Sequence, residues 1–335
     1  MLNKKYTERD LSEYQFLVTG GAGFIGSNLV EYLIKQNAGK VRVIDNLSTG
    51  KLHNIDEYTS LSNFEFIEGD ISNLETCQEA VKEIDYVSHQ AALGSVPRSM
   101  EDPINTNNSN VTGFLNMLVA ARDEYSVKKM VYAASSSTYG DSEELPKVEK
   151  NIGKPLSPYA VTKYVNELYA DVFSKVYDFN SVGLRYFNVF GPRQDPKGPY
   201  AAVIPIFMDA AIKKETPTIN GDGGITRDFT FVSNVVQANI KALLNTDDLE
   251  QHEVVNIACN EQITLSELWD IISDLAEVSI EANHGPERPG DVRHSLADIT
   301  KAENLLGYNP TVHVKEGLQK TYSYYDKLIA TKNLG

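Results

Sequence analysis

The sequence predicts an α/β protein in which a doubly wound parallel sheet carries a smaller mixed α/β cap. Three observations lead to this fold class. Short apolar strands alternate with amphipathic helices through residues 15–192. A glycine-rich turn at residues 20–26 joins the first strand to the first helix. Beyond Pro192 several prolines interrupt mixed segments, so the regular alternation ends there. This combination is typical of a Rossmann-like sheet with an appended smaller domain.

The first strand, the first helix and the second strand predict a dinucleotide site. The turn has glycines at every third position, Gly20, Gly23 and Gly26, with Phe24 and Ile25 between the last two. A turn without side chains lets the backbone approach a pyrophosphate, and the helix N-terminus adds unpaired N–H groups. The second strand ends in an acid placed to accept hydrogen bonds from the adenosine ribose. That acid is Asp45.

The loops after strands two and three are expected to contact the adenosine end of the dinucleotide. Asp70 either accepts a hydrogen bond from the adenine amino group or caps the helix that begins near Asn73, and both interpretations stay open. The predicted residues of these two loops are Asn46, Ser48, Thr49, Gly50, Asp70 and Ile71.

Strands four to six bring small and polar residues to the same edge of the sheet. They lead to Gln90, Ala91 and Ala92, to the run that begins at Ser135, and to Tyr186. His89 ends the fourth strand, and we expect it to be a structural histidine rather than a base. Long helices are predicted at residues 102–125 and 158–177, with right-handed crossovers between parallel strands.

The second half is predicted to cover the cofactor edge of the sheet. Helices are expected at residues 201–214, 232–244, 264–276 and 314–328, and a strand at 253–257 is expected to return to the main sheet. We therefore predict an N-terminal extension at residues 1–14, a dinucleotide-binding domain at 15–192, and a mainly substrate-binding domain at 193–335.

Composition excludes several classes of function. A net charge of −15 argues against nonspecific binding to nucleic acid or to an anionic membrane surface. The two cysteines, Cys77 and Cys259, give neither a disulfide framework nor a metal-ligand spacing, so no metal is expected. No apolar run approaches the length of a membrane span, and the first 14 residues are polar, which predicts a cytoplasmic protein.

One tyrosine and one lysine carry the predicted chemistry. Tyr159 and Lys163 lie four residues apart on one helix face. A nearby ammonium stabilises phenolate, which lowers the tyrosine pKa toward the range needed by a general base. Alone, the pair could be an ordinary surface pair. However, Ser135 ends a strand of the cofactor sheet, where its hydroxyl can orient a substrate oxygen or relay its proton.

In these residues the sequence resembles the extended short-chain dehydrogenase/reductases, and specifically their UDP-hexose 4-epimerases of the UDP-N-acetylglucosamine type. The resemblance covers about residues 15–328. It rests on the glycine turn, Asp45, the Ser135/Tyr159/Lys163 set, and the motifs at residues 185–192, 226–229 and 288–291. It implies a tightly held NAD, a UDP-sugar substrate and a homodimer in which helices 102–125 and 158–177 pack against their symmetry mates.

The resemblance also implies a mechanism. Tyr159 as phenolate takes the proton of the sugar 4-hydroxyl, the C4 hydride passes to NAD, and the 4-keto sugar turns before hydride returns. Lys163 holds the nicotinamide ribose and Ser135 bonds the reacting oxygen. Asn188, Arg227 and Arg288 would contact the diphosphate and Asp291 the uridine ribose, whereas the uracil and hexose positions are Ala202, Val203, Thr218, Asn220, Ser136 and Ser137.

Ser295 is the residue expected to decide which sugar is used. Family members restricted to plain hexoses resemble one another in a tyrosine at this place. A serine leaves room for an N-acetyl group at C2, so UDP-N-acetylglucosamine and UDP-N-acetylgalactosamine are the expected substrates. The corresponding uronic acids remain open as equal or better substrates.

Several other functions share parts of this pattern. Nucleotide-sugar 4,6-dehydratases and UDP-glucuronate decarboxylases share the Tyr/Lys pair, but the dehydratases need a carboxyl where this chain has Ser136 and Ser137. A catalytically inactive NAD-binding regulator would be expected to have lost part of the Ser/Tyr/Lys set. A simple reductase that releases its cofactor also stays open, and cofactor retention through purification would distinguish it.

Overall fold

The structure is a computed structural model that describes residues 2, 4–196, 198, 201–245, 249, 251–286 and 292–332, with side chains as far as residue 328. Two residues expected to bind substrate, Arg288 and Asp291, lie outside the described residues. Within the described part of the chain, no helix is long and apolar enough to cross a membrane.

A seven-stranded parallel sheet forms the centre of the molecule, which confirms the predicted fold class. Its strand order is β11-β6-β5-β4-β1-β2-β3. The order reverses between β1 and β4, so this edge has a switch point at which a ligand can lie across the strand ends. The strands are β1 (Gln15–Thr19), β2 (Lys40–Asp45), β3 (Phe64–Glu68), β4 (Tyr86–His89), β5 (Lys129–Ser135), β6 (Ser181–Tyr186) and β11 (Glu253–Ile257).

Short strand pairs outside the main sheet build the second half, and the sequence pattern did not predict them. They are β7 (Val189–Phe190) with β10 (Thr230–Phe231), β9 (Thr226–Arg227) with β12 (Ile263–Thr264), and β8 (Thr218–Asn220) with β13 (Asn283–Gly285). The strand predicted at residues 253–257 does join the main sheet, beside β6.

Helices flank the sheet and fill the cap. They are α1 (Phe24–Lys35), α2 (Leu74–Val81), α3 (Val96–Glu101), α4 (Pro103–Asn107), α5 (Gly113–Asp123), α6 (Pro158–Tyr177), α7 (Val203–Lys213), α8 (Val232–Leu244), α9 (Leu265–Leu275), α10 (Thr300–Leu306) and α11 (Val314–Lys332). The bounds of α6 and α8 are those predicted from the sequence. Helix α6 begins sharply because Ser157 accepts a hydrogen bond from Ala160 N and Pro158 occupies the first turn.

The helix predicted at residues 102–125 is not uniform, because a π-helical turn at Asn108–Thr112 separates α4 from α5. Asn110 lies in this wider turn and is buried. Its side chain accepts a hydrogen bond from Leu93 N at 2.8 Å and donates to Leu93 O at 3.2 Å. It also donates to Thr162 Oγ1 at 3.1 Å. The π turn therefore fixes the loop after β4 against helix α6.

Three apolar clusters stabilise the fold. Two of them cover the faces of the main sheet, centred on residues such as Phe16 and Leu17, whose side chains point to opposite faces. The third is formed by side chains of the second half of the chain, among them Phe207 and Trp269. This third cluster also contains Phe190, so packing of the cap begins just before the boundary predicted at residue 192.

Candidate active site

The glycine turn after β1 has the shape that a dinucleotide pyrophosphate requires. Gly20 adopts a φ of +65°, and a Cβ on Gly26 would lie 2.2 Å from Gly20 O. Side chains are therefore excluded from the turn. Gly23 caps α1 without a side-chain hydrogen bond, so the first N–H groups of the helix stay open to an anion. The residues present thus fit a bound dinucleotide.

The predicted cofactor residues come together along one cavity of about 450 Å³ at the carboxyl edge of the sheet. Gly50 alone among them does not line it, because it lies behind Asp45, where an added Cβ would be 2.7 Å from Asp45 Oδ1. The predicted residues that do line the cavity are Gly20, Gly23, Phe24, Ile25, Gly26, Asp45, Asn46, Ser48, Thr49, Asp70, Ile71, Gln90, Ala91, Ala92, Tyr159, Lys163 and Tyr186.

The two acids expected to contact the adenosine, Asp45 and Asp70, line this cavity. Asp45 accepts hydrogen bonds from Ala22 N at 3.0 Å and Leu47 N at 2.8 Å, and burial raises its pKa. Asp70 accepts from Ser72 N and Asn46 Nδ2, both at 2.8 Å. The interpretation of Asp70 as a helix cap is wrong, because Asn73 caps α2 by accepting a hydrogen bond from Thr76 N.

His89 is structural, as expected. Its ring lies between β1 and the helices behind the sheet, with Nδ1 3.0 Å from Thr19 Oγ1. Burial lowers the pKa of His89 to about 3, so the imidazole is neutral and cannot shuttle protons near neutral pH.

A buried polar network forms the floor of the cavity, and the sequence pattern did not reveal it. Asn239 of α8 accepts hydrogen bonds from Ser88 Oγ at 3.0 Å and Gln90 Nε2 at 2.9 Å. The same amide donates to the Tyr186 hydroxyl at 2.8 Å, and that hydroxyl donates to Gln90 Oε1 at 3.1 Å. Gln90 and Tyr186 both line the cavity, so a helix on one face of the sheet holds two cofactor-facing side chains.

The three predicted catalytic residues lie at one end of the cofactor cavity. Lys163 Nζ donates to Ala133 O at 2.7 Å and stands 6.0 Å from the centre of the Tyr159 ring. Burial lowers the pKa of Lys163 to about 8. Ser135 accepts hydrogen bonds from Ser137 N at 3.1 Å and Ser137 Oγ at 2.9 Å.

The expected lowering of the tyrosine pKa is not found in the protein alone. Burial raises the pKa of Tyr159, and the opposing contribution comes from a hydrogen bond with Ser135 rather than from Lys163. Neither cause is the Lys163 ammonium, which stands 6.0 Å from the centre of the ring. Stabilisation of a phenolate in this site therefore requires additional positive charge, which an oxidised nicotinamide would supply.

A second cavity, of about 210 Å³, contains the residues expected to hold the nucleotide. The predicted residues that line it are Asn188, Ala202, Val203, Thr218, Asn220 and Arg227. Gln194, which the sequence analysis missed, also lines it, and its buried Oε1 has no hydrogen-bond partner among the described residues. An acceptor of this kind suits an N–H or O–H donor of a bound ligand.

A third cavity, of about 220 Å³, adjoins the other two through shared lining residues. It shares Ser136 with the cofactor cavity, and Asn188 borders all three. Its wall contains Ser137 and Ser295, so the residue expected to select the sugar lines a cavity that adjoins the cofactor cavity. We refer to it below as the hexose cavity. Lys147 and His294 also line it, and neither was singled out from the sequence.

Asp228 braces the loops around the hexose cavity. Its fully buried carboxylate accepts hydrogen bonds from Cys259 N at 3.0 Å and Ala297 N at 3.2 Å. Its carbonyl accepts from Asn188 Nδ2 at 2.9 Å. Burial raises the pKa of Asp228 to about 7.

The sequence and the structure of this chain are similar to those of known nucleotide-sugar enzymes. Residues 17–321 match the family model described as GDP-mannose 4,6-dehydratase. The UDP-glucose 4-epimerase of Mycolicibacterium smegmatis is 36% identical over 92% of this chain and 97% of its own length. The structure is similar to that of a UDP-N-acetylglucosamine 4-epimerase from Methanobrevibacter ruminantium in complex with UDP-N-acetylmuramic acid, with a TM-score of 0.88, 39% identity, and coverage of 94% and 99% of the two chains.

A further similar structure contains a cofactor. It is the UDP-glucuronic acid 4-epimerase of Bacillus cereus in complex with UDP-glucuronic acid and NAD, with a TM-score of 0.86 and 33% identity. The alignment covers 94% of this chain and 99% of that one. Proteins similar to this chain along almost their whole length therefore differ in the sugar that they are named for.

Proposed function

Because this chain belongs to the extended short-chain dehydrogenase/reductases and is a nucleotide-sugar 4-epimerase that uses NAD, we propose that its substrates are UDP-N-acetylhexosamines. UDP-N-acetylglucosamine and UDP-N-acetylgalactosamine would be interconverted by inversion at C4. The observation that carries this proposal is the position of Ser295 in the wall of the hexose cavity, next to the catalytic end of the cofactor cavity.

The proposed catalytic residues would act in proton transfer at the sugar 4-hydroxyl. Tyr159 would accept this proton as phenolate, and Ser135, whose hydroxyl already lies at the end of β5, would orient the reacting oxygen. Bound NAD would supply the redox step, by taking a hydride from C4 and returning it to the opposite face. Lys163, anchored on Ala133 O, would hold the ribose beside the nicotinamide and keep positive charge near the phenolate.

The outer cavity suits the UDP part of the substrate. Arg227 lines both the nucleotide and the hexose cavities, where a guanidinium can hold diphosphate oxygens in a bidentate manner. Asn188 lies at the junction with its Nδ2 fixed on Asp228 O, so the diphosphate would be held at a defined distance from the nicotinamide. Contacts from Arg288 and Asp291 stay part of the proposal.

The composition of the hexose cavity argues against dehydration. Removal of water across C5–C6 needs a carboxyl beside the tyrosine. Of the described residues that line this cavity, none is an aspartate or glutamate, and the two positions after Ser135 hold serines. A small side chain at position 295 instead leaves space for a C2 acetyl group.

Incubation with a panel of UDP-sugars, without added cofactor, tests the proposal. We expect the acetylated pair to be interconverted at a higher kcat/KM than UDP-glucose and UDP-galactose. Ser295→Tyr should depress turnover of the acetylated sugars and spare the plain hexoses, whereas the matched control Ser295→Ala should keep the wild-type preference. Wild-type preference for UDP-glucose, or equal loss of both classes in Ser295→Tyr, would contradict the proposal. A need for added NAD at each turnover would favour a reductase.

We also propose that two chains pair through α4 and α6. The outer surface of these helices carries an apolar face: Ile104 is 83% exposed, and Leu168, Val172 and Val176 form a stripe at intervals of four residues on α6. Such a face on a soluble chain favours burial against a second copy. In analytical ultracentrifugation the wild type should be a dimer and Val172→Lys a monomer, with Leu52→Lys, on a different surface, as control. A monomeric wild type would contradict the pairing.

A further inference from the structure

The hexose cavity has an unusual charge for a protein with a net charge of −15. Lys147, Arg227 and His294 line it, and no described residue in its wall is acidic. Arg227 also borders the nucleotide cavity, where the substrate diphosphate would engage it. Lys147 borders the hexose cavity only, so its charge has no use in holding the nucleotide.

Lys147 is held in place by its backbone. Its N–H donates to Leu296 O at 2.7 Å, and its carbonyl accepts from Asp298 N at 2.9 Å and Asn256 Nδ2 at 2.9 Å. These bonds pair it with the segment that carries Ser295. None of them involves the side chain, so the backbone of this residue would be held in the same way without the ammonium.

The ammonium of Lys147 is buried without a carboxylate. The residue is 4% exposed. Within the described part of the chain its Nζ has one hydrogen-bond partner, Ser142 O, and no ion pair. The acids that act on it from a distance, Glu143 and Glu144, are exposed to solvent. Desolvation consequently lowers the pKa of the Lys147 ammonium.

A buried ammonium with two unused donors is costly, and an anionic partner removes much of that cost. Water or a sugar hydroxyl would satisfy the donors but not the charge. Since the cavity adjoins both the cofactor and the nucleotide cavities, the proposed substrate would place its hexose there, and the anionic partner would be a group carried on that hexose. A hexose oxidised at C6 carries a carboxylate.

We propose that Lys147 recognises the C6 carboxylate of the sugar, so that the enzyme prefers UDP-N-acetylhexosaminuronic acids to the neutral UDP-N-acetylhexosamines. This inference rests on the proposed function, and it names the oxidation state of the substrate. The neutral sugars would bind in the same cavity and leave the ammonium with its single carbonyl partner.

The test compares kcat and KM for UDP-N-acetylglucosamine and UDP-N-acetylglucosaminuronic acid. The wild type should favour the uronic acid in kcat/KM by about 10-fold or more, the order expected for one charge-assisted hydrogen bond. Lys147→Met keeps the length of the side chain and removes the charge. It should raise KM for the uronic acid by about 10-fold to 100-fold and change KM for the neutral sugar by less than about 3-fold.

Two further variants serve as controls. Lys147→Arg keeps the charge and should retain much of the preference for the uronic acid. Lys150→Met removes an exposed lysine of the same segment and should behave as wild type. Equal loss of activity on both sugars in Lys147→Met would assign Lys147 a structural role and overturn the inference. A wild type without preference for the uronic acid would overturn it even if Lys147→Met failed to fold.

Parallel assays with UDP-glucose and UDP-glucuronic acid separate this inference from the proposed function. If the acetylated sugars are inert but UDP-glucuronic acid is preferred through Lys147, recognition of the carboxylate stands and the proposal on the acetyl group fails. If the neutral acetylated sugars are preferred and Lys147→Met leaves every KM unchanged, the proposed function stands and the role of Lys147 is refuted.

Discussion

Replacement of Asn239 by leucine should weaken both the fold and the cofactor site. Asn239 Oδ1 accepts from Ser88 Oγ and Gln90 Nε2, and its Nδ2 donates to the Tyr186 hydroxyl, at 2.8 to 3.0 Å. Leucine keeps the branching and approximate size of the side chain, so the main loss is of three hydrogen bonds between elements. At about 1 kcal/mol each, the free energy of unfolding should fall by about 3 kcal/mol.

Urea denaturation followed by circular dichroism measures this loss, and the NAD content after gel filtration measures the effect on the site. We expect Asn239→Leu to lose bound NAD. Gln90 and Tyr186 line the cofactor cavity, and both side chains would lose their hydrogen bond to the Asn239 amide. Asn234→Leu is the matched control on the same helix. Its side-chain amide accepts hydrogen bonds from Thr311 N and Val312 N and donates one to Val312 O, and neither of these residues lines the cofactor cavity.

The control should be destabilised by a similar amount and keep its NAD. The reasoning is refuted if Asn239→Leu unfolds within about 1 kcal/mol of the wild type, since three buried bonds cannot then be stabilising. It is also refuted if both variants lose NAD alike, because the loss would then reflect general instability.

Three further predictions concern single side chains. Tyr159→Phe should abolish turnover and leave UDP binding, measured by calorimetry, nearly unchanged; substantial remaining activity would mean that another group is the base. The wild type should bind NAD at least about 10-fold more tightly than NADP, because the 2′-phosphate would meet the Asp45 carboxylate, and equal affinities would contradict this. Burial raises the pKa of Asp228 to about 7, above its ordinary value. The folded chain therefore binds a proton that the unfolded chain has released, and this stabilising contribution is lost as pH rises through 7. The Tm of the wild type minus the Tm of Asp228→Asn should consequently decrease from pH 5 to pH 8, and an increase would refute the assignment.

Regular elements with strong periodicity could be predicted almost to the residue. The apolar pattern and caps of α6 determine its bounds locally, through Ser157 at one end and a left-handed residue, Asp178, at the other. The π turn could not be predicted, because the hydrophobic spacing continues through it. Tertiary contacts select the wider turn, because the Asn110 side chain forms hydrogen bonds with Leu93, 17 residues away, and with Thr162, 52 residues away.

The candidate site could be predicted where one motif carries several of its residues, and not where distant segments meet. The glycine turn and the Tyr159/Lys163 helix are motifs of this kind. Lys147 lines the hexose cavity because its backbone pairs with Leu296, some 150 residues further along the chain. No local sequence pattern encodes this pairing. Likewise, the sequence predicts Gln90 as a cofactor residue, but not its hydrogen bond to Asn239, which lies on a helix in the second half of the sequence.

The π turn at Asn108–Thr112 also makes this stretch sensitive to a change in chain length. A π-helical turn takes up one more residue than an α-helical turn. Removal of one residue here would therefore favour a regular α-helix and leave α4 and α5 close to their present orientations. The cost would fall on Asn110, whose hydrogen bonds to Leu93 and Thr162 hold the loop after β4 against α6. Because Ser109 of the same turn lines the cofactor cavity, such a deletion would disturb cofactor binding before it disturbed the packing of the helices.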